Sequence, residues 1–204
     1  MPYTAKHKAE TRARIAEAAR RLFNRHGFDA VSIDDIMASA GLTRGGFYNH
    51  FTSKDALYAE AINSHAHQDT SAQWGLEIDP GGTSSRLAAQ IVNAYLSPQH
   101  LSDLENHCPM IALPSDIARA GPGVRQTYEA LLGNLIGMFQ AGVDPNRADA
   151  RQAALGMTAL CVGGMVIART IENDVLASEV REAARAVALQ VGDLEENRAT
   201  MRAS

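Results

Sequence analysis

Between residues 42 and 55 the chain gathers side chains that can read or hold a polyanion: Thr43, Arg44, Tyr48, Asn49, His50 and Lys54, around two adjacent glycines, Gly45 and Gly46. A guanidinium can form a two-pronged hydrogen bond to a guanine edge, whereas hydroxyl, imidazole and ammonium groups grip phosphate oxygens. Each glycine inside a helix costs roughly 1 kcal/mol against alanine, which suits a backbone that must come very close to another surface. Phe47 and Phe51, four apart, share the opposite face and can anchor the segment to a core. A polar, glycine-bearing face behind an aromatic anchor fits the DNA major groove better than it fits solvent. Ser32, at the start of the preceding helix, joins Thr43, Arg44, Gly45, Gly46, Tyr48, Asn49, His50 and Lys54 as the candidate DNA-contact set. Arg44 is expected to read a base; Thr43, Tyr48, His50 and Lys54 are expected to hold phosphates.

A second stretch with chemical potential is Glu105-Asn106-His107-Cys108-Pro109-Met110. A histidine and a helix start beside Cys108 are both surroundings that lower a thiol pKa, so Cys108 is a candidate redox or electrophile sensor. The plainer alternative, a small buried hydrophobe, is favoured. An enzyme with Cys108 as nucleophile and His107 as base is disfavoured. Adjacent residues rarely converge on one substrate, and neither an oxyanion-stabilising glycine loop nor a third orienting residue is evident. Cys161 lies within an apolar helix and reads as structural. Two cysteines make no disulfide framework, no Cys/His spacing suits zinc, and His65 and His67 would diverge on a helix. No metal or cofactor is expected.

The elements that must position residues 42–55 are legible around them. Ser32 followed by Asp35 is a helix-start box, and Ile33, Ile36, Met37 and Ala40 continue at helical spacing. Gly41 ends that helix. Thr43 and Ser53 are helix-start residues for the contact segment and for the helix after it. Upstream, Ile15, Ala19, Leu22, Phe23 and His26 stripe a first helix that Gly27 ends. Helix, glycine turn, second helix with a polar face is the helix-turn-helix pattern.

With these residues in view, positions of about 10 to 58 resemble the DNA-binding domain of the tetracycline-repressor (TetR) family of bacterial transcription regulators. The resemblance rests on Ala18-Ala19-Arg20-Arg21-Leu22-Phe23, Gly27-Phe28, Ser32-Ile33-Asp34-Asp35-Ile36, Ala40-Gly41-Leu42-Thr43-Arg44-Gly45, Phe47-Tyr48-Asn49-His50-Phe51 and Ser53-Lys54-Asp55-Ala56-Leu57. It covers about a quarter of the chain. Gly46, Phe47 and Asn49 depart from the usual family residues and bear on which operator is chosen. The resemblance implies a homodimer, double-stranded operator DNA as partner, and a small-molecule effector held in the helical body.

Composition fits this reading. The chain has 204 residues and a net charge of −4, which alone would argue against nucleic acid. Its distribution argues otherwise: residues 1–58 hold nine Lys/Arg against six acids, net +3, and residues 59–204 hold ten against seventeen, net −7. A basic head can meet DNA while an acidic body is repelled and orients the protein. The expected division is therefore a helix-turn-helix domain at 1–58 and an effector-binding and dimerisation domain at 59–204. The polar start carries no apolar leader, and the apolar run Ala153–Ala168 is short for a membrane span. A cytoplasmic protein, with no membrane partner, is expected.

Beyond residue 58 the periodicity predicts helices and no strands, so the fold class is all-α with about nine helices. A helix from Ser53 runs toward Trp74, one spans 87–95, broken pieces fill 99–123, and long helices cover 124–142, 146–171 and 175–191. The helix at 153–168 is apolar all round, more than one neighbour can cover, and small residues along it permit close approach. Gly156, Gly163 and Gly164, with Val180, Ala184, Val187 and Val191 of the last helix, are the candidate dimer interface; the resemblance implies a four-helix bundle formed from two copies. Trp74, Tyr95, Met110, Tyr128, Met138, Phe139 and Met157 are candidates to line an effector pocket, since methionine adapts to irregular ligands.

Overall fold

The protein is seen as a computed structural model that describes residues 5–66 and 83–194. In chain order the α-helices are α1 (Ala5–His26), α2 (Ile33–Ser39), α3 (Lys54–Ala66), α4 (Ser84–Tyr95), α5 (Pro98–Ser102), α6 (Pro109–Ala112), α7 (Pro114–Arg119), α8 (Pro122–Gly142), α9 (Ala150–Thr170) and α10 (Asp174–Gly192). A 3-10 helix, Arg44–Asn49, lies between α2 and α3. The fold is all-α, with ten α-helices among the described residues rather than about nine. Prolines divide the middle: Pro98, Pro109, Pro114 and Pro122 each open a helix, where the missing N–H has no intrahelical partner to lose.

The described residues form two compact units, one from 5–66 with 104–131 and the other from 83–103 with 132–194. In the first, Gly27 ends α1 at φ +80° and Gly41 follows α2 at φ +67°, left-handed values that glycine adopts without penalty. The start of α2 is closed reciprocally: Asp35 N–H donates to Ser32 Oγ at 3.1 Å, and Ser32 N–H donates to Asp35 Oδ2 at 3.0 Å. Ser53 caps α3 by accepting from Ala56 N–H at 3.0 Å. Ile15, Ala19, Phe23, Ile36, Phe47, Leu57 and Ile62 are buried together as the core of this unit, and Phe23, Phe28 and Tyr58 rings lie 4.7–5.5 Å apart.

Arg20, one of the nine basic residues counted in the head, is buried. Its side chain is only 2% exposed. It donates to both carboxylate oxygens of Glu17, at 2.9 and 2.8 Å, to the Glu105 carbonyl at 3.0 Å and to Asn106 Oδ1 at 2.8 Å. One turn on, Asn24 Nδ2 donates to the His107 carbonyl at 2.8 Å. Asp116 of α7 accepts from the Phe28 N–H at 2.9 Å, beside the Gly27 turn.

In the second unit α9 and α10 pack along much of their length, and α4 and α5 lie against α9. Gly164 is buried at the α9–α10 crossing: a side chain started there would come within 2.6 Å of Ala184 Cβ. Gly142 is equally confined, with Ala88 Cβ at 2.3 Å from the same notional position. Arg181, buried, donates to the Leu96 carbonyl. The apolar helix α9 is long and apolar enough to cross a membrane by length and composition, yet one face, from Ala153 through Met157, Cys161 and Met165 to Ala168, is buried in this unit. Its other face leaves Leu155 and Ile167 exposed.

Candidate nucleic-acid interface

The contact segment is a 3-10 helix, not the α-helix its caps implied. Thr43 stands at its start without a side-chain capping bond. Tight three-residue bonds replace the α pattern: Gly46 N–H donates to the Thr43 carbonyl at 3.0 Å, and His50 N–H to the Phe47 carbonyl at 2.9 Å. Two glycines weaken α-helix formation, and short 3-10 turns are a common substitute. Phe47 is fully buried and Phe51 nearly so, with rings 5.8 Å apart, so the aromatic anchor holds the segment as expected. Tyr48, in contrast, is 64% exposed.

The structure brings most of the candidate set onto one surface. Arg44, Gly45, Tyr48 and Asn49 are exposed, and Gly46 and His50 are half-buried beside them. Among the described residues no atom crowds the side-chain position of Gly45, while Gly46 lies in ordinary contact with Met37. A groove of about 460 Å³ runs between this segment and α1, lined by Lys8, Thr11, Met37, Leu42, Thr43, Gly46, Asn49 and His50. His50 Nδ1 is buried, with no hydrogen-bond partner among the described residues. Burial first, then the charges of Lys8 and Arg12, hold the imidazole below its ordinary pKa, so at neutral pH it is uncharged and has one N–H to donate.

Three candidates already have partners inside the chain. Arg44 pairs with Asp34 at 2.5 Å, both exposed; such a pair is worth ~1 kcal/mol or less and is easily exchanged for another acceptor. Ser32 Oγ donates to Asp35 Oδ2 at 2.6 Å while capping α2. Lys54 Nζ donates to the Phe28 carbonyl at 2.5 Å and sits 4.2 Å from the Phe28 ring centre, so it holds the turn after α1. Arg12, which sequence reasoning did not single out, reaches the segment from α1. It donates to the His50 carbonyl and to Glu60 Oε2, at 3.0 Å in the latter case, and its guanidinium lies 4.1 Å from the Phe51 ring centre. Its partners are 38 and 48 residues away, beyond any local pattern.

The other candidate sets are brought together less well. Trp74 lies outside the described residues. Tyr95, Phe139 and Met157 are buried in the second unit, and Met110 is buried and Tyr128 half-buried in the first. The inner face of α8 is set by Leu135, Ile136 and Phe139, and Met138 at its edge is 47% exposed. Two cavities among the described residues, the groove above and one of about 230 Å³ at Ser85 and residues 141–145, include none of these residues. Of the interface candidates, Gly164 and Ala184 are buried against each other within the chain, and a side chain started at Gly156 would meet Val191 at 3.6 Å. Their small size is thus used by the α9–α10 crossing itself. Val187 is 44% exposed, Val180 is half-buried, and the side-chain position of Gly163 meets nothing within 4 Å. Cys108 and Cys161 are buried and not joined in a disulfide, and burial pushes the Cys161 thiol well above its ordinary pKa.

Residues 15–61 match the family model described as bacterial regulatory proteins, tetR family. The HTH-type transcriptional regulator TtgR of Pseudomonas putida is 28% identical over 169 residues, which is 78% of this chain and 80% of that protein. The HTH-type transcriptional regulator AcrR of Shigella flexneri is 40% identical over 57 residues, 28% of this chain and 26% of its own length. Among solved structures, a TetR transcriptional regulator from Chloroflexus aurantiacus aligns with a TM-score of 0.70 at 23% identity, covering 89% of this chain and 95% of that one. Reduced Escherichia coli NemR aligns with a TM-score of 0.70 at 18% identity, covering 91% and 96%. These last two show a shared fold.

Proposed function

The chain belongs to the tetR family of bacterial regulatory proteins, and from that premise we propose that it is a homodimeric, cytoplasmic transcriptional repressor released from a palindromic operator by a small-molecule effector. Residues 1–58 are assigned to DNA contact, and 59–204 to effector binding and dimerisation. The observation that carries the reading is the exposed face of the 3-10 segment: Arg44, Gly45, Tyr48 and Asn49 are exposed on a buried Phe47–Phe51 anchor. Support for two copies comes from the exposed apolar residues Leu155 and Ile167 of α9 and Leu176 and Val187 of α10, since two-fold proteins read paired half-sites. The similarity to TtgR extends far beyond the DNA-binding residues, which supports a regulatory body of the same kind.

The test is operator selection from random DNA followed by two substitutions. Arg44→Ala is expected to weaken binding by roughly 1–3 kcal/mol and to relax preference at one position of each half-site. Lys54→Ala is expected to weaken all sequences about equally and to flatten the salt dependence, with some loss of thermal stability because its bond to Phe28 also goes. If Lys54→Ala changes the preferred sequence and Arg44→Ala does not, the roles are reversed.

A thiol sensor at Cys108 is the competing mode of release. Cys108 is 2% exposed, and a reagent must reach a thiolate to modify it. Alkylating agents are therefore expected to label Cys108 slowly, and Cys108→Ser to keep both DNA affinity and response to the non-covalent effector. Rapid, selective labelling at Cys108 with loss of DNA binding would put the sensor reading first. An enzyme is disfavoured on the same ground, since His107 is buried as well.

A further inference from the structure

We propose that Arg12 is the positioning residue of the recognition segment: it ties the end of the 3-10 helix to α1 and α3, so that Arg44, Tyr48 and Asn49 meet DNA already in place. This rests on the DNA-binding reading above. The segment needs such a tie. It has six residues, two of them glycine, and three-residue bonds of poorer geometry than those of an α-helix, so its own hydrogen bonds hold it weakly. The His50 carbonyl at its end is an acceptor of the kind that helix ends leave unpaired, and Arg12 Nη1 donates to it.

Arg12 fixes the tie from two further sides. Glu60 of α3 accepts from Nη2 at 3.0 Å, and the Phe51 ring, next in the chain after His50, lies 4.1 Å beneath the guanidinium. A flat group with several donors can stack and bond in two directions at once; a lysine ammonium cannot. Because Glu60 neutralises it, Arg12 is a poor candidate for a phosphate contact. An ordered segment loses less freedom on binding, and that saving appears as affinity. The charged groups facing His50 are Lys8 and Arg12 of α1, with Glu60 of α3 paired to Arg12.

The experiment compares the full-length wild type with Arg12→Lys and Arg12→Gln on a selected operator across a salt series. Circular dichroism checks helix content, and NMR follows the imidazole titration of His50, assigned with His50→Gln. Both variants are expected to lose affinity on the order of tenfold while keeping the preferred bases and the salt slope. Removing the neighbouring positive charge in Arg12→Gln is expected to raise the His50 titration midpoint, and Arg12→Lys to raise it less. Full affinity in both variants overturns the proposal. So does a salt slope reduced by about one, the mark of a lost phosphate contact, or lost helix content with an unmoved His50 midpoint. A wild type that binds no selected DNA would remove the DNA-binding reading instead, while the His50 titration would still report on the tie.

Discussion

Val187→Asp is expected to leave each chain folded but to abolish the proposed dimer. Val187 is 44% exposed in the single chain, so a carboxylate there stays hydrated and costs the isolated fold little. Against a second copy the same carboxylate would be buried unpaired in an apolar interface, which is strongly unfavourable. Light scattering should report half the wild-type mass, with helix content unchanged. Operator affinity should fall by roughly 10²–10⁴-fold, because two linked half-site contacts become two separate ones. A dimer of full affinity would place the interface elsewhere than on this face of α9 and α10. Gly164→Ala is not an equivalent test: Gly164 packs on Ala184 within one chain, and its replacement would disturb the protomer first.

Arg20→Ala is expected to give the largest loss of stability of any single arginine substitution in the first unit. Removing one member of a buried ion pair costs about 3–5 kcal/mol because its partners are left uncompensated. The low end, about 3 kcal/mol, applies here: Glu17 is 29% exposed and keeps Arg21 at 2.8 Å, and the Glu105 carbonyl keeps Asn24 at 3.1 Å. Asn106 Oδ1 loses its bond from Arg20. Denaturant melting would measure the loss, and limited proteolysis should show faster cleavage around residues 104–108, the stretch that Arg20 and Asn24 hold to α1. Arg20→Lys is expected to recover only part of the stability, since one ammonium cannot serve Glu17, Glu105 and Asn106 together. A loss below about 1 kcal/mol, typical of an exposed pair, would mean that Arg20 behaves as a surface residue despite its burial.

By itself the sequence determined whatever depends on neighbours within about four residues. The reciprocal cap of Ser32 and Asp35, the left-handed turns at Gly27 and Gly41, the helix starts at Ser53, Pro98, Pro109 and Pro114, and the Phe47–Phe51 anchor all have local causes. The candidate contact residues were legible for the same reason, since arginine, tyrosine and paired glycines on one short segment have few uses other than contact. Tertiary structure decided what depends on partners far along the chain. Arg12 and Arg20 count in the sequence only as two of the nine basic residues of the head, yet Arg12's hydrogen-bond partners and two of Arg20's lie 38 to 86 residues away, and those partners turn a charge into a tie. Gly164 and Ala184 read as an interface with a second copy, because small residues permit close approach without naming the helix that approaches; here it is α10 of the same chain. The contact segment follows the same division. Its residues marked where contact is proposed, but its 3-10 form came from glycines too weak to hold an α-helix and from the Phe47 anchor and Arg12 tie that hold it from outside.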